Sequence, residues 1–416
     1  MDRSLRNLQY YKFSAYGLLR NLRLFEAFLL LFLLEKGMSY SQIGILYAVK
    51  EVVLNLFEIP SGIAADAWGR KYTLAGSFII FIVSFVVFYF SQSFILFLFA
   101  FALFGMADAF RTGIHKAMMT DYLELNGWIQ HRTAYYGHTR GWSQRGLAIS
   151  SLVGGLVIYF AGSYSSIFLY TIIPYLLCFG LLLSYPEELN RAIKTKGKKR
   201  SAQIGQTLKD FWQILQKPRV LALITNSAAF TAYQRSVKDY LQPTMVAALA
   251  TLPVLTETSL KQRDGLLIGC IYFLVYLMTS QASKRSGKVA DGKLRKASIL
   301  SFLIGLIAGV FVGWFYQLEW WWLSIVLFAV IFIVENFRKP TVTSLVADSV
   351  PTKVLATVLS AQSQLRTIIS ALISLALGFL ADWYGVGIAL IGVSIFLILL
   401  FVFILFHQNK KNAIIN

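Results

Sequence analysis

Long apolar runs separated by short polar breaks recur along the whole chain, and residues 73–91, 93–107, 299–316 and 386–406 contain no charged side chain. About 20 apolar residues cross a bilayer as a helix. Only helices and closed barrels satisfy their backbone groups in lipid, and a barrel strand would alternate over about ten residues. The runs do not alternate, so the pattern predicts an all-α polytopic membrane protein. Twelve transmembrane helices are expected, at 13–34, 41–61, 73–91, 93–118, 137–161, 163–184, 220–246, 265–283, 297–316, 320–346, 354–382 and 386–407. Composition agrees: the 416 residues are 57% hydrophobic and 14% charged, against about 25% charged in a soluble domain. The first run holds Arg20, Arg23 and Glu26 and lacks a small-residue cleavage site, so no removable signal peptide is expected.

Charge changes the picture by its placement rather than its size. The formal net charge is +19, with 39 Lys and Arg. Among the loops on the odd-numbered side only Lys36, Lys261 and Arg263 are basic. Lys and Arg mark the cytoplasmic face, which predicts both termini and the long polar stretch on that side of a cell inner membrane. An even number of spans follows. The basic excess is topological and gives no ground for a nucleic-acid partner. Cys178 and Cys270 both lie in apolar runs without metal-ligand spacing, so neither a metal nor a disulfide framework is expected.

The polar stretch divides six helices from six, giving bundles at 1–184 and 218–416 with a linker at 185–217. The halves repeat one another. Gly62, Asp66, Arg70 and Lys71 match Gly287, Asp291, Arg295 and Lys296 at one constant offset, and Asp108, Arg111 and Asp121 match Glu335, Arg338 and Asp348 at another. Arg20 and Arg23 in helix 1 share their spacing with Arg235 and Lys238 in helix 7, and Arg145 in helix 5 corresponds to Arg366 in helix 11. Duplication of this kind, with sites near the repeat interface, marks secondary transporters.

Residues 62–71, GIAADAWGRK, resemble the motif between helices 2 and 3 of the major facilitator superfamily. Gly62, Asp66, Gly69, Arg70 and Lys71 occupy its defining positions, whereas the second copy has Leu294 where a Gly is expected. The resemblance implies the major facilitator fold, two pseudo-symmetric six-helix bundles with helices 1, 4, 7 and 10 lining a central cavity. It also implies a cytoplasmic gate in which the motif's charges pair with helix ends; Asp121 and Asp348 stand where Arg70 and Arg295 reach them, with Asp291 in the second copy. Helix 5 carries Gly154 and Gly155 but no Pro, unlike the Gly-Pro-rich motif of drug/proton antiporters in the superfamily.

Twelve basic residues fall inside the predicted spans: Arg20, Arg23, Lys50, Arg111, Lys116, Arg140, Arg145, Arg235, Lys238, Arg338, Lys339 and Arg366. The acidic residues at similar depth are half as many: Glu26, Glu51, Glu58, Asp108, Asp239 and Glu335. A charge at the centre of a membrane helix costs roughly 2.5–3.5 kcal/mol on insertion scales, so the set needs pairing, water or a bound counter-ion. At about 100° per residue the charges of each lining helix share one face. Arg140 is expected to snorkel to the interface. Pairs such as Asp108–Arg111 and Glu335–Arg338 suit i,i+3 contacts, yet pairing cannot remove the positive surplus. A cavity of this sign concentrates anions, and Arg offers bidentate contacts to phosphate or carboxylate.

The expected substrate ligands are therefore Arg20, Arg23, Lys50, Arg111, Lys116, Arg145, Arg235, Lys238, Arg338, Lys339 and Arg366. His115 either joins them or packs as a hydrogen-bonded ring. Glu26, Glu51, Asp108 and Glu335 are the proton-carrier candidates. The function expected is alternating-access, proton-coupled transport of an anionic or zwitterionic small molecule by a monomer in the lipid bilayer, with no cofactor. Arg111 and Arg338 are both expected to be required. A proton-driven multidrug efflux antiporter and a transporter of an anionic lipid are the alternatives. No nucleophile–base set or phosphate loop suggests an enzyme.

Overall fold

The computed structural model describes residues 6–190, 218–253, 258–286, 294–350 and 352–415, and every regular element among them is helical. In chain order these are α1 (Leu8–Arg20), α2 (Leu29–Glu35), α3 (Tyr40–Trp68), α4 (Arg70–Phe90), α5 (Phe94–Arg111), α6 (Ile114–Leu125), α7 (Arg132–Ala161) and α8 (Ser166–Leu183). They continue with α9 (Pro218–Val237), α10 (Leu241–Ala250), α11 (Leu260–Ser286), α12 (Leu294–Gln317), α13 (Trp321–Ser349), α14 (Thr352–Tyr384) and α15 (Val386–Ile415). Short 3-10 turns occupy Ile129–His131, Glu187–Leu189 and Lys238–Tyr240. Residues 191–217, most of the expected linker, lie outside the described set.

Nine of the described helical stretches are long and apolar enough to cross a membrane. They correspond to the third to sixth and eighth to twelfth expected spans. The expected first and seventh runs are interrupted, and the second carries Lys50, Glu51 and Glu58. The first run was expected to be one helix over 13–34; instead α1 ends at Arg20 and α2 begins at Leu29. The seventh narrows to a 3-10 turn at Lys238–Tyr240 between α9 and α10. Thus both members of the repeat change geometry next to their matched basic pairs, Arg20/Arg23 and Arg235/Lys238. The fourth breaks between α5 and α6, where Gly113 sits at φ 84°, a conformation costly for any side chain with a Cβ. The second extends to Trp68, so Gly62 lies inside a helix rather than a turn; Gly69, at φ 90°, makes the bend into α4.

The helices form two units. Unit 1 comprises Met1–Met38, Val49–Lys194 and Leu252–Tyr276; unit 2 comprises Ser39–Ala48, Thr195–Thr251 and Leu277–Asn416. In unit 1, α4 packs on α5 and α8, and α1 packs on α7 and α8. Its core is aromatic: Phe88 and Phe168 stack at 4.9 Å, Phe25 and Phe168 at 5.3 Å, and Tyr175 meets Phe85 edge-on at 4.9 Å. In unit 2, α12 packs on α13 and α15, and α9 packs on α13 and α14. Outward positions such as Phe99, Phe160, Phe396, Leu399 and Phe403 are exposed, as a lipid-facing surface requires.

Candidate functional site

The break in the first helix brings Arg23 to a carboxylate of α5 that also holds Arg111, within unit 1. Asn7 starts α1 by accepting a bond from Tyr10 N at 3.0 Å, an N-cap. At the other end Asn21 Nδ2 donates to Gly17 O at 2.6 Å. The carbonyl of Arg20, released from the helix ladder, accepts from Tyr175 OH at 3.3 Å. Neither Gly nor Pro occurs in residues 21–28, so the interruption is tertiary. Leu18 O and Leu24 O press against α7 at Gly146 and Gly154, where an added Cβ would come within 2.5 Å of them.

Arg23, in the broken segment, donates from Nε to Tyr175 OH at 3.0 Å and from Nη2 to Asp108 Oδ1 at 3.3 Å. Arg111 donates to the same Oδ1 from Nε at 3.0 Å and from Nη2 at 2.6 Å. The Arg23 guanidinium lies 5.8 Å from the Phe81 ring centre and 5.3 Å from that of Phe104, a cation–π setting that partly replaces hydration. Arg20 sits over the Tyr16 ring at 5.9 Å, and its buried Nε has no hydrogen-bond partner among the described residues. Asp108 is therefore the shared counter-charge of Arg23 and Arg111, with the Arg20 charge in electrostatic reach.

The other expected ligands of unit 1 stand apart from that oxygen. His115 stacks on Tyr16 at 3.7 Å and meets Tyr185 OH through Nε2 at 3.2 Å, which is the packed-ring alternative. Lys116 lies over Tyr136 at 5.4 Å and Arg145 over Trp142 at 4.8 Å. Lys50 pairs with the buried Glu51 at 3.2 Å.

Unit 2 does not repeat the arrangement. Arg338, only 2% exposed, reaches from α13 to α12 and α9, where it donates to Ser298 O, to Ser301 Oγ at 3.0 Å and to Asn226 Oδ1 at 2.7 Å. Phe230 and Phe302 flank it at 4.8 and 5.1 Å. No carboxylate lies within ion-pair distance of it among the described residues. Glu335, its expected partner, bonds Thr231 and has Lys339, Arg338 and Arg235 in electrostatic reach. Lys238 pairs with Asp239 at 3.8 Å, and Arg366 donates to Ser363 Oγ at 2.8 Å. Equal spacing in the two halves thus produces different contacts.

At the motif, Arg70 pairs with Asp121. Lys71 Nζ reaches Glu187 Oε1 at 2.5 Å, Tyr72 OH donates to the same oxygen at 3.1 Å, and Asn190 Oδ1 accepts from Lys71 N at 3.2 Å. Asn190 thereby caps α4, whose own N-cap, Gly69, has no side chain to do so. The hydrogen bond from Lys71 holds the exposed Glu187 carboxyl below its ordinary range. Asp291 lies outside the described residues, as do the side chains of Arg295 and Asp348. Sequence reasoning missed Tyr175, Asn226, Glu187 and Asn190. For Tyr175 the signal was a hydroxyl in an apolar helix, which needs a partner when buried; the others are neutral or loop residues without a pattern.

The described helices thus form a multi-spanning bundle with ionisable groups paired inside it. The chain belongs to the Major Facilitator Superfamily, whose sequence profile matches residues 21–374. It is 32% identical over 113 residues to an uncharacterized MFS-type transporter, YxaM, of Bacillus subtilis (strain 168). That match spans 27% of this chain and 28% of the relative. The nucleoside transporter NupG superposes at a TM-score of 0.72 with 12% identity, covering 96% of this chain and 99% of that one. A bacterial homologue of the human lysosomal transporter Spinster gives 0.70 with 15% identity and 97% of each chain. The D-xylose–proton symporter gives 0.67 with 15% identity, 93% of this chain and 96% of that one. Identities this low speak for the shared fold alone.

Proposed function

We propose that the protein is a secondary active transporter of an anionic or zwitterionic small molecule, coupled to protons and working by alternating access. The observation that carries this reading is the pair Arg23 and Arg111 on one oxygen of Asp108, with the Arg20 charge in electrostatic reach. Its positive surplus suits a guest that brings negative charge, and guanidinium groups suit carboxylate or phosphate. Asp108 engages Arg111, so an arriving anion competes with it for the same donors. Bundles 1–184 and 218–416 are the moving bodies in this account. The chain would act as a monomer in the cell inner membrane with both termini in the cytoplasm, and Arg70–Asp121 and Lys71–Glu187 would brace the cytoplasmic gate.

Counterflow in proteoliposomes tests this directly. Radiolabelled anion panels (phosphates, mono- and dicarboxylates, amino acids) should include at least one substrate that wild type exchanges and Arg111→Ala does not. Exchange restricted to cationic drugs would replace this reading with that of an efflux antiporter.

A further inference from the structure

A cavity of about 150 Å³ lies wholly within unit 2, at the end of the bundle where α9 begins. The first half of α9, the early turns of α12, the end of α13 and the second half of α15 enclose it. Its wall is mostly apolar, with Leu223, Ile299, Leu397, Leu400, Phe401 and Ile404. Leu400 is exposed, as are its neighbours Leu399 and Phe403 on the outward surface, so the cavity opens towards lipid. An apolar space of this size stays dry when empty and admits a benzene-sized apolar guest.

Four polar side chains interrupt the wall: Thr225, Asn226, Ser298 and Ser349. Ser349 Oγ donates to Leu345 O at 2.6 Å, and Ser298 Oγ to Asn226 Oδ1 at 3.4 Å. The same Asn226 oxygen accepts from Arg338 Nη2 at 2.7 Å. Two donors on Oδ1 fix the orientation of the amide, which leaves Asn226 Nδ2 and the Thr225 hydroxyl as donors for a guest. Arg338 stands behind them, buried against Phe302, whose ring meets Phe401 at 4.3 Å. Its hydrogen-bond acceptors among the described residues are all neutral, with Glu335 only in electrostatic reach. A buried charge without a close counter-charge is costly.

We propose that this cavity binds a free fatty acid taken from the bilayer, with its chain on the apolar wall and its carboxylate on Asn226 Nδ2 and Thr225 Oγ1. Asn226 relays the charge of Arg338: its oxygen accepts from the guanidinium while its nitrogen donates to the guest, and bonds chained in this way reinforce one another. A space about one chain wide, with a single pair of donors, suits a one-chain acid better than a two-chain phospholipid. The arginines on Asp108 belong to unit 1, so this site is separate from them, and the inference does not rest on what the protein transports.

The test uses the purified full-length protein in a neutral detergent. Dodecanoate, octanoate, dodecanol, acetate and a short-chain phosphatidylglycerol are titrated while the thermal unfolding midpoint is followed. Acids that co-purify are extracted and identified by mass spectrometry. Dodecanoate should raise the midpoint saturably, octanoate should need a higher concentration because it buries less chain, and dodecanol and acetate should do little. Ala222→Phe, which fills the cavity, should remove the dodecanoate response. Asn226→Asp supplies the counter-charge from the chain itself, so it should unfold no earlier than wild type and also lose the response, which keeps the test open if Ala222→Phe fails to fold. Arg111→Ala should respond to dodecanoate as wild type does. An equal rise with dodecanol, a response that survives both cavity substitutions, or one lost in Arg111→Ala would overturn the proposal. Absence of both a dodecanoate response and a co-purified acid in wild type would do the same. Protection by phosphatidylglycerol with none by dodecanoate would give the cavity to a phospholipid and equally overturn it.

Discussion

Arg111 and Asp108 are joined by two hydrogen bonds to a single carboxylate oxygen, at 3.0 and 2.6 Å, and Arg23 reaches that oxygen at 3.3 Å from a different helical segment. One carboxylate thus holds two arginines in place inside a membrane bundle.

Removing that carboxylate should cost far more than removing either arginine. Asp108→Asn leaves Arg111 without its paired carboxylate and Arg23 with Glu26 alone in electrostatic reach, and losing one partner of a buried pair costs about 3–5 kcal/mol. Arg111→Ala keeps the Arg23–Asp108 pair. Thermal unfolding in detergent should therefore show a large loss for Asp108→Asn and a smaller one for Arg111→Ala, with transport lost in both.

The matched arginine of the other half should behave differently. Arg338 is enclosed by Ser298, Ser301, Asn226, Phe230 and Phe302, so Arg338→Ala opens a cavity and strands its acceptors. Buried large-to-small changes cost roughly 2–5 kcal/mol. Arg338→Met, closer in volume, should recover part of that stability, measured by the same unfolding assay. Equal stability of the Ala and Met variants would show that packing around Arg338 is not what matters.

Glycine substitutions should separate close approach from open space. At Gly154 an added Cβ lies 2.5 Å from Leu24 O and 3.0 Å from the Phe28 ring, whereas at Gly180 nothing lies within 4 Å. Gly154→Ala should lose about 1–3 kcal/mol by overpacking. Gly180→Ala should be neutral or gain up to about 1 kcal/mol, because Gly costs that much in a helix interior. Comparative unfolding midpoints read both.

Acid should weaken the brace at the end of α8. The Glu187 carboxyl is held below its ordinary value in the folded state, chiefly by its hydrogen bond to Lys71. A depressed folded pKa contributes stability above the unfolded value and loses it as pH falls through the folded one. Wild type and Glu187→Gln should therefore differ at neutral pH and converge in acid, below the ordinary carboxylate range. A difference unchanged across that window would remove Glu187 from the brace.

The helical membrane class was legible because lipid forces long apolar runs and the positive-inside bias labels their ends. The site was legible in part. Asp108–Arg111 sits at i,i+3 on one helix, which spacing predicts, and Arg70–Asp121 was suggested by the motif. The break at residues 21–28 was hidden because its causes, Gly146, Gly154 and Tyr175, lie more than a hundred residues away. Arg338 misled because its spacing from Glu335 matches that of Arg111 from Asp108, while its acceptors on α9 and α12 are neutral and carry no charge signal.

The central claim is that negative charge on the substrate is recognised by the arginines around Asp108. A thermal-shift screen of the purified protein against phosphates, carboxylates, amino acids and drugs measures this most directly, since a ligand that binds the folded state raises its stability. The account predicts that an anionic or zwitterionic compound gives the largest saturable shift, and that Arg111→Ala and Arg20→Ala abolish it. A shift given only by cationic or neutral compounds, or an anion shift that survives both substitutions, would contradict it.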